Sequence, residues 1–417
     1  MSAPISAPET ADDVAETDVL IVGAGLTGLT LACALGNSKI RAILVERRAF
    51  SEILEPKADG RVTAVARSTQ TMLDRLNVWR SMAPDAQRID DIVVGETSWP
   101  SNVHYDHRDV GGEPLGWIVP NAMMRAALVA RLRACPSIQV RESAAVTELG
   151  VDGGKAYVHL SNGKTIRSSV IAVCEGKSSA TRELAGIGVT HWDYKQDGIV
   201  CTFVHERPHL NRAFERFYSD GPIATLPMTD DDDGRHRTSI VWALDRGRAK
   251  AIAALDDDQF EVEVMDRVGL HLGRMHLASR RWHYPLSLVW SKAYAAPRLM
   301  LVGDCARGIH PLAGQGWNVG ARDVAAAAEV ILDRMSLGLD PGDEMAIERY
   351  ERWRRFDSLA LVGITDGLNR LFNNDILPVK LARNLGLAAV QRTKPLKQLF
   401  VRHAMGLAGD LPDLMRS

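Results

Sequence analysis

The 417-residue chain is poor in cysteine and carries no excess of charge of either sign. It has five cysteines, an odd number, and no two of them form a CxxC pair, which argues against a disulfide framework and against a zinc site. A formal net charge of -2 provides no overall field that would attract nucleic acid. We therefore expect a cytoplasmic protein without a metal site and without a nucleic-acid partner.

We expect no secretory signal in this sequence. Residues 1–17 are mostly small, acidic and Pro-containing, without a basic start or an apolar centre, and are predicted to be a disordered tail. The 20 uncharged residues between Asp18 and Lys39 are long enough to cross a bilayer. Four glycines together with Asn37 and Ser38 disfavour a membrane span and favour a soluble interpretation.

A glycine-rich turn lies between a β-run, Val19 to Val22, and a helix-like apolar stretch. Gly23, Gly25 and Gly28 form the pattern GxGxxG in this strand–turn–helix context. The first glycine permits the tight turn, the second lets a pyrophosphate approach the backbone, and the third lets helix and strand pack closely. The free N–H groups at the helix start then face the anion.

A second β-run, Ala42 to Val45, ends in Glu46, which lies 18 residues after Gly28. A carboxylate at this point accepts hydrogen bonds from an adenosine ribose, and we include the neighbouring Arg47 in the same candidate site. These features predict dinucleotide binding, with a glycine-rich core turn as the alternative. They do not distinguish NAD from FAD.

A third motif near residue 300 favours a flavin. A strand-like run, Leu299 to Val302, ends in Gly303 and Asp304, and a helix is predicted to begin near Gly316. Asp304 is suited to a polyol hydroxyl, and the helix start stabilises developing negative charge. We therefore assign Asp304 to the ribityl chain and the helix start to the N1/C2 edge of the flavin ring.

This stretch, "GDCARGIHPLAGQGWNVGARD", resembles the pattern GDAAHxxxPxxGQGxNxGxxD of the group A flavin-dependent aromatic hydroxylases. The resemblance implies FAD, with its ring against the loop from Pro311 to Asn318. The family has His where this chain has Arg307, and His310 stands beside Pro311. His310 is a candidate for proton transfer, and a loop-shaping or flavin-packing histidine is the alternative. The matching residues are Gly303, Asp304, Pro311, Gly314, Gln315, Gly316, Asn318, Gly320 and Asp323.

Further segments resemble the ubiquinone-biosynthesis (UbiH/UbiF-like) branch of that family. "CEGKSSATRE" matches the family motif DGxxSxxR with Glu175 in place of Asp. The segment "KADGRVTAVARS" implies Arg61 beside the flavin, and "VPNAMMRAALVARL" implies a flavin contact from Arg125 or Asn121. The complete set of candidate FAD-binding residues is Gly23, Gly25, Gly28, Glu46, Arg47, Arg61, Arg125, Gly303, Asp304, Pro311, Gln315, Gly316 and Asn318.

The resemblance implies an α/β protein with a Rossmann-like FAD-binding domain of the p-hydroxybenzoate-hydroxylase (GR2) type, an inserted β-sheet substrate domain and C-terminal helices. We expect residues 18–100, 121–185 and 286–360 in the FAD-binding domain. Residues 101–120 and 186–285 are expected in the substrate domain, and residues 361–417 in the C-terminal helices. Independently of the resemblance, "GIVCTFVHE", "RAFERFY" and "TSIVWAL" are typical of strands, and Asp230 to Gly234 of a solvated hairpin loop.

The activity that the resemblance implies is hydroxylation of the aromatic ring of a polyprenylphenol in ubiquinone biosynthesis. NAD(P)H would be a transient co-substrate, since no second GxGxxG is present, and O2 would react through a C4a-hydroperoxyflavin. Two alternatives stay open: a flavin hydroxylase of a soluble aromatic or secondary metabolite, and a low-turnover flavin-binding component of a ubiquinone biosynthetic complex.

The sequence from Ile376 to Gly409 contains six Lys or Arg residues and no Asp or Glu, with apolar residues at helical intervals. A basic amphipathic segment suits an anionic membrane surface. Peripheral docking on the inner face of the membrane would deliver a lipid-soluble phenol. A helix that closes the fold with a solvated basic face is the alternative. Other ubiquinone-biosynthesis proteins are expected as partners, without a surface assigned to them.

Overall fold

A computed structural model describes residues 14–55, 59–96, 102–308 and 316–372, together with residues 393, 398, 401, 402 and 405–416. The strands are β1 (Val14–Val22), β2 (Ala42–Val45), β3 (Val62–Ala66), β4 (Gln87–Ile89), β5 (Asp91–Glu96), β6 (Val103–Asp106), β7 (Gly116–Pro120), β8 (Ile138–Arg141), β9 (Val146–Asp152), β10 (Lys155–Leu160), β11 (Thr165–Val173), β12 (Val189–His205), β13 (Arg212–Tyr218), β14 (Gly221–Met228), β15 (His236–Asp245), β16 (Met275–Leu277), β17 (Trp282–Ser291), β18 (Ala295–Ala296), β19 (Leu299–Leu301) and β20 (Arg307–Gly308).

The α-helices are α1 (Leu26–Asn37), α2 (Phe50–Ile53), α3 (Arg67–Arg75), α4 (Trp79–Met82), α5 (Asn121–Arg133), α6 (Ala180–Leu184), α7 (Arg246–Ala253), α8 (Asp257–Val268), α9 (Gly316–Ser336) and α10 (Glu344–Phe372). Short 3-10 turns separate several of these elements. Among the described residues no helix combines the length and the apolar character that a bilayer crossing requires.

The first sheet has eight strands, and its central path runs β18-β19-β11-β1-β2-β8. From β19 to β8 all neighbouring pairs are parallel. Residues 19–22 of β1 are buried, as expected for a strand covered on both faces. Helices α1 and α9 pack against each other on one face, where the alanine run of α9 from 325 to 328 is fully buried and permits a close approach.

The second sheet has nine strands along the path β20-β17-β12-β15-β14-β13-β5-β6, with β16 paired to β12. One face carries Ile199, Phe203 and Trp242, which form a core with α7 and α8. Leu226 on the opposite face packs against β3 and β7 of a third, three-stranded sheet. The second sheet is thus covered by helices on one side and faces the rest of the molecule on the other.

The prediction of an α/β protein with a parallel sheet and a separate, largely antiparallel sheet is confirmed, and the hairpin loop at Asp230 to Gly234 joins β14 to β15 as expected. The boundaries differ in detail. Residues 14–17, predicted as part of a disordered tail, pair with β11 in strand β1. Strand β5, expected in the first domain, pairs with β13 of the nine-stranded sheet, and its Ile92 packs against the apolar cluster that contains Leu226.

Candidate functional site

The motifs singled out in the sequence meet at one edge of the eight-stranded sheet. Strands β1, β2, β11 and β19 are parallel, so their carboxyl ends lie at the same edge. Gly23 follows β1, Glu46 follows β2, Glu175 lies just beyond β11 and Gly303 just beyond β19. Ligands of open parallel sheets bind outside the carboxyl ends of the strands.

The three glycines of the first turn differ in their steric surroundings. Gly23 has φ +103°, a region that disfavours residues with a side chain. A Cβ on Gly28 would lie 1.8 Å from the Gly23 carbonyl oxygen, so only glycine lets α1 approach the turn. A Cβ on Gly25 would meet no atom of the described residues within 4 Å, which leaves space among them at the N-terminus of α1. This space suits a phosphate group, since the first turn of a helix presents free N–H groups.

Glu46 stabilises the glycine turn directly. Its carboxylate is buried and accepts hydrogen bonds from the amides of Ala24 at 2.7 Å and Arg48 at 3.0 Å. Arg47 is exposed beside it. Glu46 therefore lies next to the space above Gly25, where the sequence predicted an adenosine contact, and the ribose contact itself stays a prediction.

The Gly303–Asp304 turn forms the second wall of the site. Gly303 has φ +82°, and a Cβ there would lie 2.9 Å from the Thr27 side chain of α1. Its amide donates to Asp323 Oδ2 at 2.9 Å. Asp304 is exposed to solvent, yet desolvation by the surrounding protein raises its pKa, with Lys177 and Arg61 opposing the shift. A carboxylate that is accessible but poorly solvated lies on the floor of a cleft.

A polar cluster at Asp59 was missed in the sequence. Asp59 accepts hydrogen bonds from Arg61 Nε and Nη2 at 2.8 and 2.9 Å, and from Arg125 Nη1 at 2.9 Å. Burial alone would raise the pKa of Asp59, but these ion pairs hold it below its ordinary value. Asn121 Nδ2 adds a longer contact of 3.4 Å. Asp59 therefore fixes the three residues that the resemblance placed beside the flavin, and its position two residues before Arg61 was the available signal.

Two further residues reach the cleft from other elements. The guanidinium of Arg61 lies over the Tyr284 ring of β17, 5.2 Å from its centroid. Lys177, two residues after Glu175, donates from Nζ to the carbonyl of Ser287 at 2.9 Å. Desolvation lowers the pKa of Lys177, and Asp304 opposes that shift. The charges of Lys177, Arg61 and Asp304 are therefore near neighbours.

The start of α9 contributes a glycine and an asparagine. Within the part of the chain that the structure describes, a Cβ on Gly316 would meet no atom within 4 Å, as at Gly25. Asn318 is buried and accepts from the Ala66 amide at 2.9 Å while it donates to the Ala64 carbonyl at 2.7 Å. Its amide therefore anchors α9 to β3. The other predicted residues of this loop, His310, Pro311 and Gln315, lie outside the described residues.

The two departures from the family motifs have structural roles. Arg307 is buried and donates to Asp323 Oδ1 at 2.9 Å and to the Val319 carbonyl at 3.1 Å. Glu175 Oε2 accepts from Ser179 Oγ at 2.5 Å and from the Thr181 amide at 3.1 Å. Both residues therefore hold loops of the site in place.

One face of the nine-stranded sheet lies against the loop that carries Asp59 and Arg61. Strand register places Val200 of β12 opposite Val241 of β15 and Trp282 of β17. Tyr284 lies on the same face two residues along β17, over Arg61. A Cβ on Gly60 would lie 2.1 Å from the Trp282 ring, so this face packs directly on the loop that carries Asp59. The arrangement suits an apolar ligand with one polar group.

Comparison with known proteins agrees with this geometry. A model of the FAD binding domain family matches residues 16–355. The chain is 41% identical over 409 residues to the ubiquinone hydroxylase UbiL of Rhodospirillum rubrum, across 97% of this chain and 94% of that protein. It is 29% identical over 395 residues to 3-demethoxyubiquinol 3-hydroxylase of Escherichia coli, across 94% of this chain and 99% of that protein. The p-nitrophenol 4-monooxygenase PnpA of Pseudomonas putida has a similar fold, with a TM-score of 0.77 at 17% identity over 95% of this chain and 99% of that structure.

The fold and the site define an FAD-dependent monooxygenase with a p-hydroxybenzoate-hydroxylase-like architecture, as predicted. The chain belongs to the FAD binding domain family, and FAD is its cofactor. The residues fit this group. A side chain at Gly25 or at Gly316 would enter space that no described residue occupies, and Asp304 offers an accessible carboxylate in the turn after β19.

Proposed function

We propose that this enzyme hydroxylates the aromatic ring of a polyprenylated phenol, a precursor of ubiquinone, with NAD(P)H and O2. The main support is the aromatic pair Trp282 and Tyr284 of β17, which lies against the loop of Asp59 and Arg61. The relationship to ubiquinone hydroxylases over almost the whole chain adds to it. A prenylated phenol has an apolar ring and tail with one hydroxyl, which matches an apolar surface with polar groups at its margin.

FAD, once reduced by NAD(P)H, supplies the activation of O2. The residues of this chain hold the pyrophosphate at the start of α1 and the ribityl chain at Asp304. The sheet face with Val200, Val241 and Trp282 keeps bulk water from the reacting atoms, since water access wastes the reductant. The same face would also hold the phenol ring roughly 3 to 3.5 Å from the oxygen atom to be transferred, the distance at which reacting atoms are poised to react.

Tyr284 and Arg61 are proposed to orient the phenol hydroxyl. Their stacked side chains form the polar margin of the apolar face, and Asp59 fixes the guanidinium through two hydrogen bonds. Desolvation raises the pKa of Tyr284, so its hydroxyl stays protonated and available as a donor at neutral pH.

The reaction is tested with purified enzyme, NADPH or NADH, 18O2 and a short-chain prenylphenol. The expected product carries one additional hydroxyl that contains 18O, and NAD(P)H consumption matches product formation. A soluble phenol without the prenyl chain should give at least tenfold lower kcat/KM, because each buried CH2 contributes about 0.8 kcal/mol. Equal rates for both phenols would favour a soluble substrate, and reductant oxidation that yields only H2O2 with every phenol would contradict the proposed reaction.

Peripheral contact with an anionic membrane is proposed from the basic C-terminal sequence. Lys394 and Lys397 lie outside the described residues, and Arg402 is exposed. Replacement of these three residues by Glu should lower binding to anionic liposomes and leave the FAD content unchanged. Equal liposome binding by the variant and the parent enzyme would rule this surface out.

A further inference from the structure

The C-terminal segment Met405–Arg416, here called the C-terminal strap, packs on the FAD-binding region although it lies beyond residue 355, where the family match ends. The amide of Ser68 in α3 donates to the Met405 carbonyl at 3.3 Å. The amide of Asp413 donates to Glu329 Oε2 of α9 at 2.8 Å. The strap therefore contacts two separate elements of this region.

Arg322 of α9 binds the strap backbone. Its Nη2 donates to the carbonyls of Gly406 at 2.6 Å and Ala408 at 2.7 Å. Its Nη1 donates to both carboxylate oxygens of Asp357 at 3.1 Å each. The Arg322 side chain is only 12% exposed, so water replaces these contacts poorly. One guanidinium thus links the strap to α10.

The chain of contacts continues from Asp357 to the turn that carries Asp304. Arg354 Nη1 donates to Asp357 Oδ2 at 2.8 Å, and Arg354 Nε donates to Asp323 Oδ1 at 2.7 Å. Asp323 Oδ2 accepts the amide of Gly303 at 2.9 Å. Arg354 and Asp323 are fully buried. Each link is a hydrogen bond between charged groups or to a backbone amide, the kind that is costly to break away from water.

We propose that Arg322, Asp357 and Arg354 are positioning residues for the Gly303–Asp304 turn, and that strap docking and FAD binding therefore favour each other. The inference rests on the FAD site described above and extends it to a distant segment. Gly303 occupies a left-handed conformation, and one carboxylate oxygen of Asp323 holds its amide. Movement of Asp323 would therefore displace Asp304, the residue assigned to the ribityl chain.

The electrostatics of Asp357 support a coupled network. Burial alone would raise the pKa of Asp357, but Arg354 and Arg322 hold it below its ordinary value. The carboxylate consequently stays charged near neutral pH and ties both guanidiniums. Loss of Arg322 would leave Asp357 with Arg354 as its remaining cationic partner. Because Arg354 also binds Asp323, a change in its position would reach Asp323 and the turn.

The test measures backbone hydrogen exchange of strap peptides covering residues 405–416, by mass spectrometry, in full-length protein with and without saturating FAD. Energetic coupling between two sites is reciprocal, so FAD should slow strap exchange by the same factor by which strap docking tightens FAD binding. We expect a factor of at least about five. In Arg322→Met the FAD-dependent protection should disappear, and the Kd for FAD should rise by a similar factor.

Arg267→Met is the matched control. Arg267 forms a two-point ion pair with Asp220 at 2.9 and 3.0 Å and is 15% exposed, but it lies in α8, against the nine-stranded sheet. This control should keep both the FAD affinity and the strap protection. If Arg322→Met does not fold, Arg322→Lys is the second variant. Lysine keeps the positive charge beside Asp357 but lacks the guanidinium that binds both strap carbonyls. It should therefore also lose the FAD-dependent protection of the strap and bind FAD more weakly.

Strap exchange that is unchanged by FAD in the parent enzyme would overturn the proposal. A Kd for FAD in Arg322→Met within twofold of that of Arg267→Met would also overturn it. Neither readout needs turnover or a phenol, so the outcome is independent of the 18O2 experiment.

Discussion

At the scale of single residues, substitutions at Gly25 and Gly28 distinguish an effect on FAD binding from an effect on protein stability. A Cβ on Gly25 would meet no atom of any described residue within 4 Å and its backbone is extended, whereas a Cβ on Gly28 would overlap the Gly23 carbonyl. Gly25→Ala should leave the melting temperature of the FAD-free protein nearly unchanged and weaken FAD binding at least tenfold. Gly28→Ala should weaken FAD binding and also destabilise the FAD-free protein by at least about 1–3 kcal/mol.

Fluorescence titration with FAD and thermal unfolding of the FAD-free proteins measure both effects. A Gly25→Ala protein that binds FAD as tightly as the parent would show that no phosphate approaches this turn.

Substitution of Asp304 should increase the stability of the FAD-free protein while it weakens FAD binding. Its pKa is raised in the folded protein, so the folded state holds its proton more tightly than the unfolded state does. The charged carboxylate therefore destabilises the FAD-free protein at neutral pH, and this cost disappears as the pH falls through the folded pKa toward the unfolded value. Asp304→Asn should raise the melting temperature of the FAD-free protein at pH 7, with a difference that shrinks toward pH 4.

The same substitution should weaken FAD binding about tenfold or more, because a hydrogen bond to a charged group is lost. Unfolding curves between pH 4 and pH 8 together with FAD titration measure the two effects. A lower melting temperature of the variant at pH 7 would contradict a desolvated Asp304.

At the scale of elements, the turn after β19 depends on the buried charges of α9 and α10. The family has His where this chain has Arg307, and Arg307 pairs with Asp323 inside the protein. Arg307→His should lower the free energy of unfolding by about 3 kcal/mol, the smallest cost expected when a buried ion pair is broken. The cost is at this lower limit because Asp323 retains its hydrogen bonds from Arg354 and from the Gly303 amide. Urea unfolding measures the change, and a variant as stable as the parent would show that Arg307 contributes no net stability.

The local motifs of these elements could be predicted from the sequence, and the contacts between them could not. The spacing of Gly23, Gly25 and Gly28 is enough to predict the glycine turn, because the strand, the turn and the helix are consecutive in the sequence. Asp59 and Arg125 are 66 residues apart, and their ion pair depends on how β3 and α5 pack. The Asp323 network joins α9, α10 and the strap, so its chemistry became visible only in the fold. Asn318 was predicted from its motif as a cofactor residue. Its two hydrogen bonds to β3 could not be predicted, because β3 lies about 250 residues earlier in the chain.

At the scale of the whole molecule, the cleft lies between two sheets with different tasks. The carboxyl edge of the parallel sheet brings together the turns that we propose for the phosphate and ribityl groups, and the largely antiparallel sheet brings Trp282 and Tyr284 beside Arg61. Strand β20 pairs with β17 and directly follows the Gly303–Asp304 turn, so this turn is continuous with the nine-stranded sheet. FAD binding should therefore stabilise both sheets together.

FAD at 100 times its Kd should stabilise the enzyme by about 2.7 kcal/mol and raise its melting temperature. Hydrogen exchange should slow in peptides of β17 as well as in those of α1, because β17 is joined to the cleft through Arg61 and Lys177. Protection confined to α1 and β1 would show that the nine-stranded sheet responds independently of the cofactor.

The most direct measurement is an experimental structure of the enzyme with FAD and a short-chain prenylphenol. The account predicts the pyrophosphate at the start of α1, a ribityl hydroxyl within hydrogen-bond distance of Asp304, and the phenol ring against the sheet face of Val200, Val241 and Trp282. A phenol bound on the opposite, helix-covered face of that sheet, or a ribityl chain distant from Asp304, would contradict it.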